Sequence, residues 1–147
     1  MWILALFFIG IGLAVDAQSD CQCYEAGNYT GRNSPISNAY MSDSFSPCYS
    51  TQCSYVAYSG DDNHIWTHLT FRWGTTTNSG GQVQIFDGPA ESGTPLVQIA
   101  EGEDVPDGSV KSKVKSSTSR IFVKYSQTAG TSPNVYYGVI RAIPNGQ

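Results

Sequence analysis

The sequence predicts an all-β fold, an antiparallel β-sandwich, on three observations. Two segments, Gln82-Val83-Gln84-Ile85-Phe86-Asp87-Gly88-Pro89 and Ser116-Ser117-Thr118-Ser119-Arg120-Ile121-Phe122-Val123-Lys124-Tyr125-Ser126, place apolar residues at every second position before a turn signal or polar break. Short apolar runs separated by turn signals recur along the chain, and no helix-period segment follows residue 17.

Taken in order, residues 18–50 are rich in Asn, Ser, Gly and Tyr, with Ser34-Pro35 and Ser46-Pro47 as breakers, and are expected to form short strands and loops pinned by disulfides. Tyr55 to Tyr58 reads as a strand and Asp61-Asp62-Asn63 as a turn. Ile65 to Trp73 is the strongest strand, with Ile65, Thr67, Leu69, Phe71 and Trp73 facing one way and His64, Trp66, His68, Thr70 and Arg72 the other. A polar hairpin loop, 74–81, leads to Gln82–Phe86, with Val83 and Ile85 inward. After Asp87-Gly88-Pro89 a surface loop runs to Pro95, Leu96 to Ala100 is a short strand, and Glu101 to Gly108 is an acidic loop. Val110 to Lys115, Ile121 to Tyr125 and Val135 to Ile143 are expected to complete the strands.

Trp2 to Val15 is an apolar run of 14 residues followed by Val15-Asp16-Ala17. It is shorter than the roughly 20 residues a spanning helix needs. Residues 1–17 therefore read as a secretory signal peptide cleaved after Ala17, although the terminal amine is its only positive charge. An uncleaved anchor is the alternative. The mature chain, Gln18 to Gln147, suits one domain, secreted and extracellular, with no membrane span.

Residues 18–107 hold eleven acids against Arg32 and Arg72, while residues 108–147 hold six bases and no acid. Such asymmetry can mark a polyanion-binding face, but a sandwich interleaves both halves. The net charge of −4 and the lack of a dense basic run argue against nucleic acid as a partner.

The four cysteines, Cys21, Cys23, Cys48 and Cys53, read as two disulfides in an oxidising compartment. A 21–23 bridge would strain the backbone, leaving 21–48 with 23–53 or 21–53 with 23–48. Each bridge closes a loop long enough to contribute about 3–4 kcal/mol in the chain-entropy account. A zinc site is disfavoured: the thiols lack a second tight knuckle.

The order of the pieces resembles a CUB domain over residues 21–143. The matching elements are Ser34-Pro35 with Tyr40, Cys53-Ser54-Tyr55, Leu69-Thr70-Phe71, Val83-Gln84-Ile85-Phe86-Asp87-Gly88, Ser116-Ser117 with Ile121, Val123, Tyr125 and Ser126, and Gly138 to Ile143. In organisation the chain is similar to stand-alone CUB proteins such as the spermadhesins. The resemblance implies a CUB-like jelly roll that binds an extracellular protein or glycan. It also marks departures. The second disulfide common in the family is missing, with Asn78, Ser79 and Ala100 in those neighbourhoods. The family's calcium positions fall at Thr77, Gly81 and Gln127, none a carboxylate. A hard cation needs charged oxygen ligands, so no metal site is expected there.

Little in the chain points to catalysis. His64-Ile65-Trp66-Thr67-His68 lacks the Glu of the helical zinc motif and reads as a strand, which would part the rings by about 13 Å. No Gly-x-Ser-x-Gly elbow is present, and turn chemistry explains Asp61-Asp62 and Glu103-Asp104. The acidic loop 101–108 lacks the spacing of a calcium loop and reads as solvated. The binding candidates are Lys111, Lys113 and Lys115, alternating along one expected strand, with His68 and Trp66 opposite the core stripe and Tyr136 of the Tyr136-Tyr137 pair. Edge protection is the competing account of the lysines, and packing beneath a loop that of Trp66. Asn28-Tyr29-Thr30 is a glycosylation sequon. The expectation is a secreted, non-catalytic binding module without cofactors; a self-associating matrix component and a secreted hydrolase with an unrecognised site are the alternatives.

Overall fold

The computed structural model describes residues 33–41, 47–49, 51–128 and 130–147, with backbone alone for 39–41 and 47–49. It is an all-β antiparallel sandwich. The strands are β1 (Asn33–Ser37), β2 (Ala39–Met41), β3 (Pro47–Tyr49), β4 (Gln52–Tyr58), β5 (His64–Thr75), β6 (Gln82–Asp87), β7 (Val97–Ala100), β8 (Arg120–Ser126) and β9 (Val135–Pro144). One sheet has the order β1-β9-β5 and the other β4-β8-β6-β7, while β2 and β3 form a small hairpin. Cys21, Cys23 and Asn28 lie outside the described residues, as does the side chain of Cys48; Cys53 is disulfide-bonded.

The alternation of β6 and β8 does what period-2 patterning dictates. Val83, Ile85, Ile121, Val123 and Tyr125 are buried between the sheets. The Asp-Gly and Ser-Ser pieces meet at one end: the Asp87 carboxylate accepts hydrogen bonds from the Ser117 N–H (2.9 Å) and hydroxyl (2.6 Å). The facing sheet contributes an aromatic cluster, with Phe71 stacked on Tyr136 at 5.2 Å and Trp73 edge-on to both.

Strand β5 departs from simple alternation. Thr67 pairs with Arg141 but Thr70 with Val139, so one extra residue is accommodated, and His68 there takes a left-handed φ of 54°. This bulge inverts the side-chain parity. Leu69, Phe71 and Trp73 face the core after it, but Trp66 faces the core before it. Trp66 is therefore fully buried, its indole N–H donating to the Ser119 carbonyl at 2.9 Å. The expected strand Val110–Lys115 is also corrected. Residues Lys111–Lys113 form a 3-10 turn, after which Lys115 makes a single antiparallel bridge to Thr67. Val105 bridges Phe71 on the same edge, so the rim of β5 is partly covered.

Candidate functional site

The expected contact residues do not form one site. Trp66 and Tyr136 are buried, at 0% and 2% exposure, and present no surface; Tyr137 is the exposed member of its pair at 57%. The parity is set by Gly138, whose backbone packs directly against Phe71, forcing Tyr136 inward and Tyr137 outward. The three lysines do not share a strand face. Lys111 is ion-paired to Glu103 and donates to the Gln98 carbonyl, where it closes the free edge of β7. Lys113 is exposed on the 3-10 turn, and Lys115 is exposed beside Thr67. His68 is exposed at the bulge.

Thr77, Gly81 and Gln127 do converge, around Glu101 and Asn134. The Glu101 carboxylate accepts the backbone N–H groups of Thr77 (2.9 Å), Asn78 (2.7 Å) and Gly81 (2.9 Å). Burial, the largest single influence, opposes its ionisation, but these N–H groups with the Asn134 side chain outweigh it and hold its pKa below the ordinary value. Asn134 is fully buried; its Oδ1 accepts the Thr77 N–H at 2.8 Å, and its own N–H donates to Gln127 Oε1 at 2.9 Å. Tyr125 donates to the same Gln127 oxygen, and desolvation pushes its phenol up to about 12. The network locks the 77–81 loop to the 127–134 loop. Two further acids of the 101–108 loop are occupied: Glu103 by Lys111, which lowers its pKa, and by the Ala100 N–H at 3.1 Å, and Asp104 by the Trp73 N–H at 3.0 Å. Among the described residues no three His, Cys, Asp or Glu side chains gather as metal ligands.

The two outer sheet faces differ in chemistry. On the four-stranded sheet, Ser54, Lys124, Gln84 and Gln98 lie in one row, with Gln52, Ser126 and Gln82 in the next. The glutamines bond one another, Gln98 to Gln82 at 2.9 Å and Gln84 to Gln98 at 3.3 Å. Its cations are neutralised within the chain: Lys124 by Glu91 at 3.0 Å, and Arg120 by Asp62 at 3.5 Å while stacked on Tyr58.

The three-stranded sheet presents the opposite arrangement. Its outward rows are Ser37, Tyr137 and Arg72, then Pro35, Val139 and Thr70, then Asn33, Arg141 and Thr67. Lys115 continues the last row beyond Thr67, and His68 sits between the last two rows. Arg72, Arg141 and Lys115 are exposed, and none has an ion pair among the described residues. No acid stands in these rows, but Asp104 lines the groove beside Arg72 and accepts the Trp73 N–H. Between Arg72 and Val139 a groove of about 440 Å³ opens, lined by Phe71 and Gly138 with Thr70, Tyr137 and Pro106, and by Asp104 and Val105 at its edge. Arg72 and Arg141 escaped the sequence reading as a pair because only the β5–β9 register brings them together; the outward setting of Arg72 was the one available signal.

Among the described residues no helix is long and apolar enough to cross a membrane. Comparison with known proteins aligns the chain at 51% identity over 152 residues with uncharacterized protein E02H4.4 of Caenorhabditis elegans, covering 95% of this chain and 29% of that relative. The chain thus spans less than a third of the length of that relative. The model of the family described as the uncharacterized protein E02H4.4 N-terminal domain matches residues 21–147, and the chain belongs to that family.

Proposed function

We propose that this chain is a secreted, non-catalytic binding module that recognises an extracellular protein or glycan through the outer face of the three-stranded sheet. The observation that carries the reading is the set of three exposed cations, Arg72, Arg141 and Lys115, none with an ion pair among the described residues, around exposed Tyr137 and Val139. Elsewhere the fold pairs Lys111, Arg120 and Lys124 with its own carboxylates, and Lys113 on the 3-10 turn is the one other Lys or Arg without an ion pair among the described residues. Exposed Arg and Tyr on a rigid ladder are the residue types that dominate interface energetics. Export is supported by the apolar leader and the disulfide at Cys53, and the binding class by the CUB-like order of motifs.

The test is capture from extracellular fluid together with a glycan array, each run on the wild type and on the double variant Arg72→Glu/Arg141→Glu. A specific partner retained by the wild type and lost by the variant supports the reading. A partner retained equally by both removes this face from the function. Cleavage or turnover of a captured molecule would replace binding with catalysis.

A further inference from the structure

We infer that the groove and its flanking arginines take an extended, acidic protein segment that places an apolar side chain between two carboxylates, in the spacing acid-x-apolar-x-acid. The inference rests on the reading of this face as the binding surface and specifies what it binds.

Three consecutive outward rows carry the argument. Arg72 stands in the first beside Tyr137, Val139 and Thr70 occupy the second, and Arg141 the third. Along β9, Tyr137, Val139 and Arg141 are two residues apart, so the rows are separated by about 6.7 Å and the outer two by about 13 Å. An extended chain has the same period: its positions i, i+2 and i+4 point one way and span the same distance. A segment lying along β9 therefore presents one side chain to each row. The first and third rows carry guanidinium groups with no ion pair among the described residues, which suit carboxylates in bidentate geometry. The middle row carries no charge and is apolar at Pro35 and Val139, with Val139 39% exposed and the groove opening beside it against Pro106. Lys115 lies two strand spacings from Arg141, about 10 Å, within reach of a further acid on the same partner.

The surroundings favour protein over polysaccharide. Sugar hydroxyls are matched by amides and hydroxyls, and this molecule concentrates its amides, Gln52, Gln82, Gln84 and Gln98, on the opposite sheet. The cationic face interposes Tyr137, Val139, Pro35 and Pro106 between its charges, which would leave the sulfates of a glycan facing apolar surface. An apolar anchor ringed by Arg and Tyr is the anatomy of a protein hot spot.

The experiment is a display selection of random peptides on the secreted, disulfide-intact chain, with a sulfated octasaccharide as a parallel probe. Enriched peptides should carry acid-x-apolar-x-acid. Their binding should fall at least tenfold on Arg72→Glu or Arg141→Glu, fall several-fold when salt is raised from 50 to about 300 mM, and survive Lys124→Glu on the opposite sheet. Both arginines are exposed and have no ion pair among the described residues, so the variants should keep the wild-type melting temperature, and Arg141→Lys, which keeps the charge but loses the bidentate fork, should bind more weakly than wild type and more tightly than Arg141→Glu. Peptides that require Arg72 yet lack acids overturn the partner chemistry while leaving the face intact. Peptides indifferent to Arg72→Glu and Arg141→Glu but lost on Gln84→Arg overturn the face itself. Binding of the octasaccharide through Arg72 and Arg141 with no acidic peptide enriched, or an empty selection, overturns the inference.

Discussion

Gly138 of β9 lies directly opposite Phe71 of β5, and a Cβ on Gly138 would stand 2.5 Å from the Thr70 carbonyl oxygen and 3.0 Å from the Phe71 ring. The obstruction is backbone, which cannot swing aside as a side chain would. Gly138→Ala is therefore expected to cost about 1–3 kcal/mol by overpacking, read as a shift in the denaturant midpoint. The ladder beneath the cationic face would move with it, so partner affinity should also fall. An unchanged midpoint would mean that the two strands do not pack in this register.

Trp66 tests the bulge. Its ring is fully buried and its indole N–H is spent on the Ser119 carbonyl. Trp66→Ala should cost about 3–5 kcal/mol. Trp66→Phe should cost less but more than its lost volume alone, because the Ser119 carbonyl loses its donor. Equilibrium unfolding measures both. A substitution without effect would return Trp66 to the surface.

The left-handed conformation of His68 makes a separate prediction. Its φ of 54° suits Gly or Asn and penalises a β-branched residue. His68→Gly should leave stability within about 0.5 kcal/mol of wild type, while His68→Ile should lose about 1–2 kcal/mol. Equal costs for the two would contradict the bulge.

Glu101 sets a pH dependence. Its folded pKa lies below the ordinary 4.5, because three backbone N–H groups and Asn134 together outweigh the opposing effect of burial. A depressed folded pKa means that the carboxylate stabilises the fold above the unfolded value and that this stabilisation is lost as pH falls through the folded one. Glu101→Gln should lower stability by about 1–2 kcal/mol at neutral pH, where an amide cannot accept all three N–H groups. The gap between variant and wild type should narrow as pH falls below about 4.5. Thermal melts across pH 2–7 read it; a gap constant with pH would assign the effect to packing alone.

The core of the sandwich was legible wherever local alternation met no irregularity. Val83, Ile85, Ile121, Val123 and Tyr125 are buried as the period requires. The errors share one cause, long-range pairing. Alternation ran unbroken through His68 in the sequence, while the register with β9 inserts a residue there and turns Trp66 inward. Tyr136 and Tyr137 were indistinguishable locally, and the approach of Phe71 to Gly138 decided between them. Lys111-Ser112-Lys113 mimics a strand pattern, yet Lys111 is drawn to Glu103 and the Gln98 carbonyl and the chain tightens into a 3-10 turn. Of the contacts expected from sequence, only His68 and Lys115 reach the cationic face; Arg72 and Arg141 join them through strands nearly seventy residues apart.

The account depends on which face meets the partner, and backbone NMR of the isotope-labelled chain titrated with a selected or captured ligand measures this directly. Amide shifts should concentrate at Thr70–Arg72, Lys115 and Tyr137–Arg141, leaving Gln82, Gln84, Gln98 and Lys124 unmoved. Shifts centred on those four, with Arg72 and Arg141 silent, would contradict it.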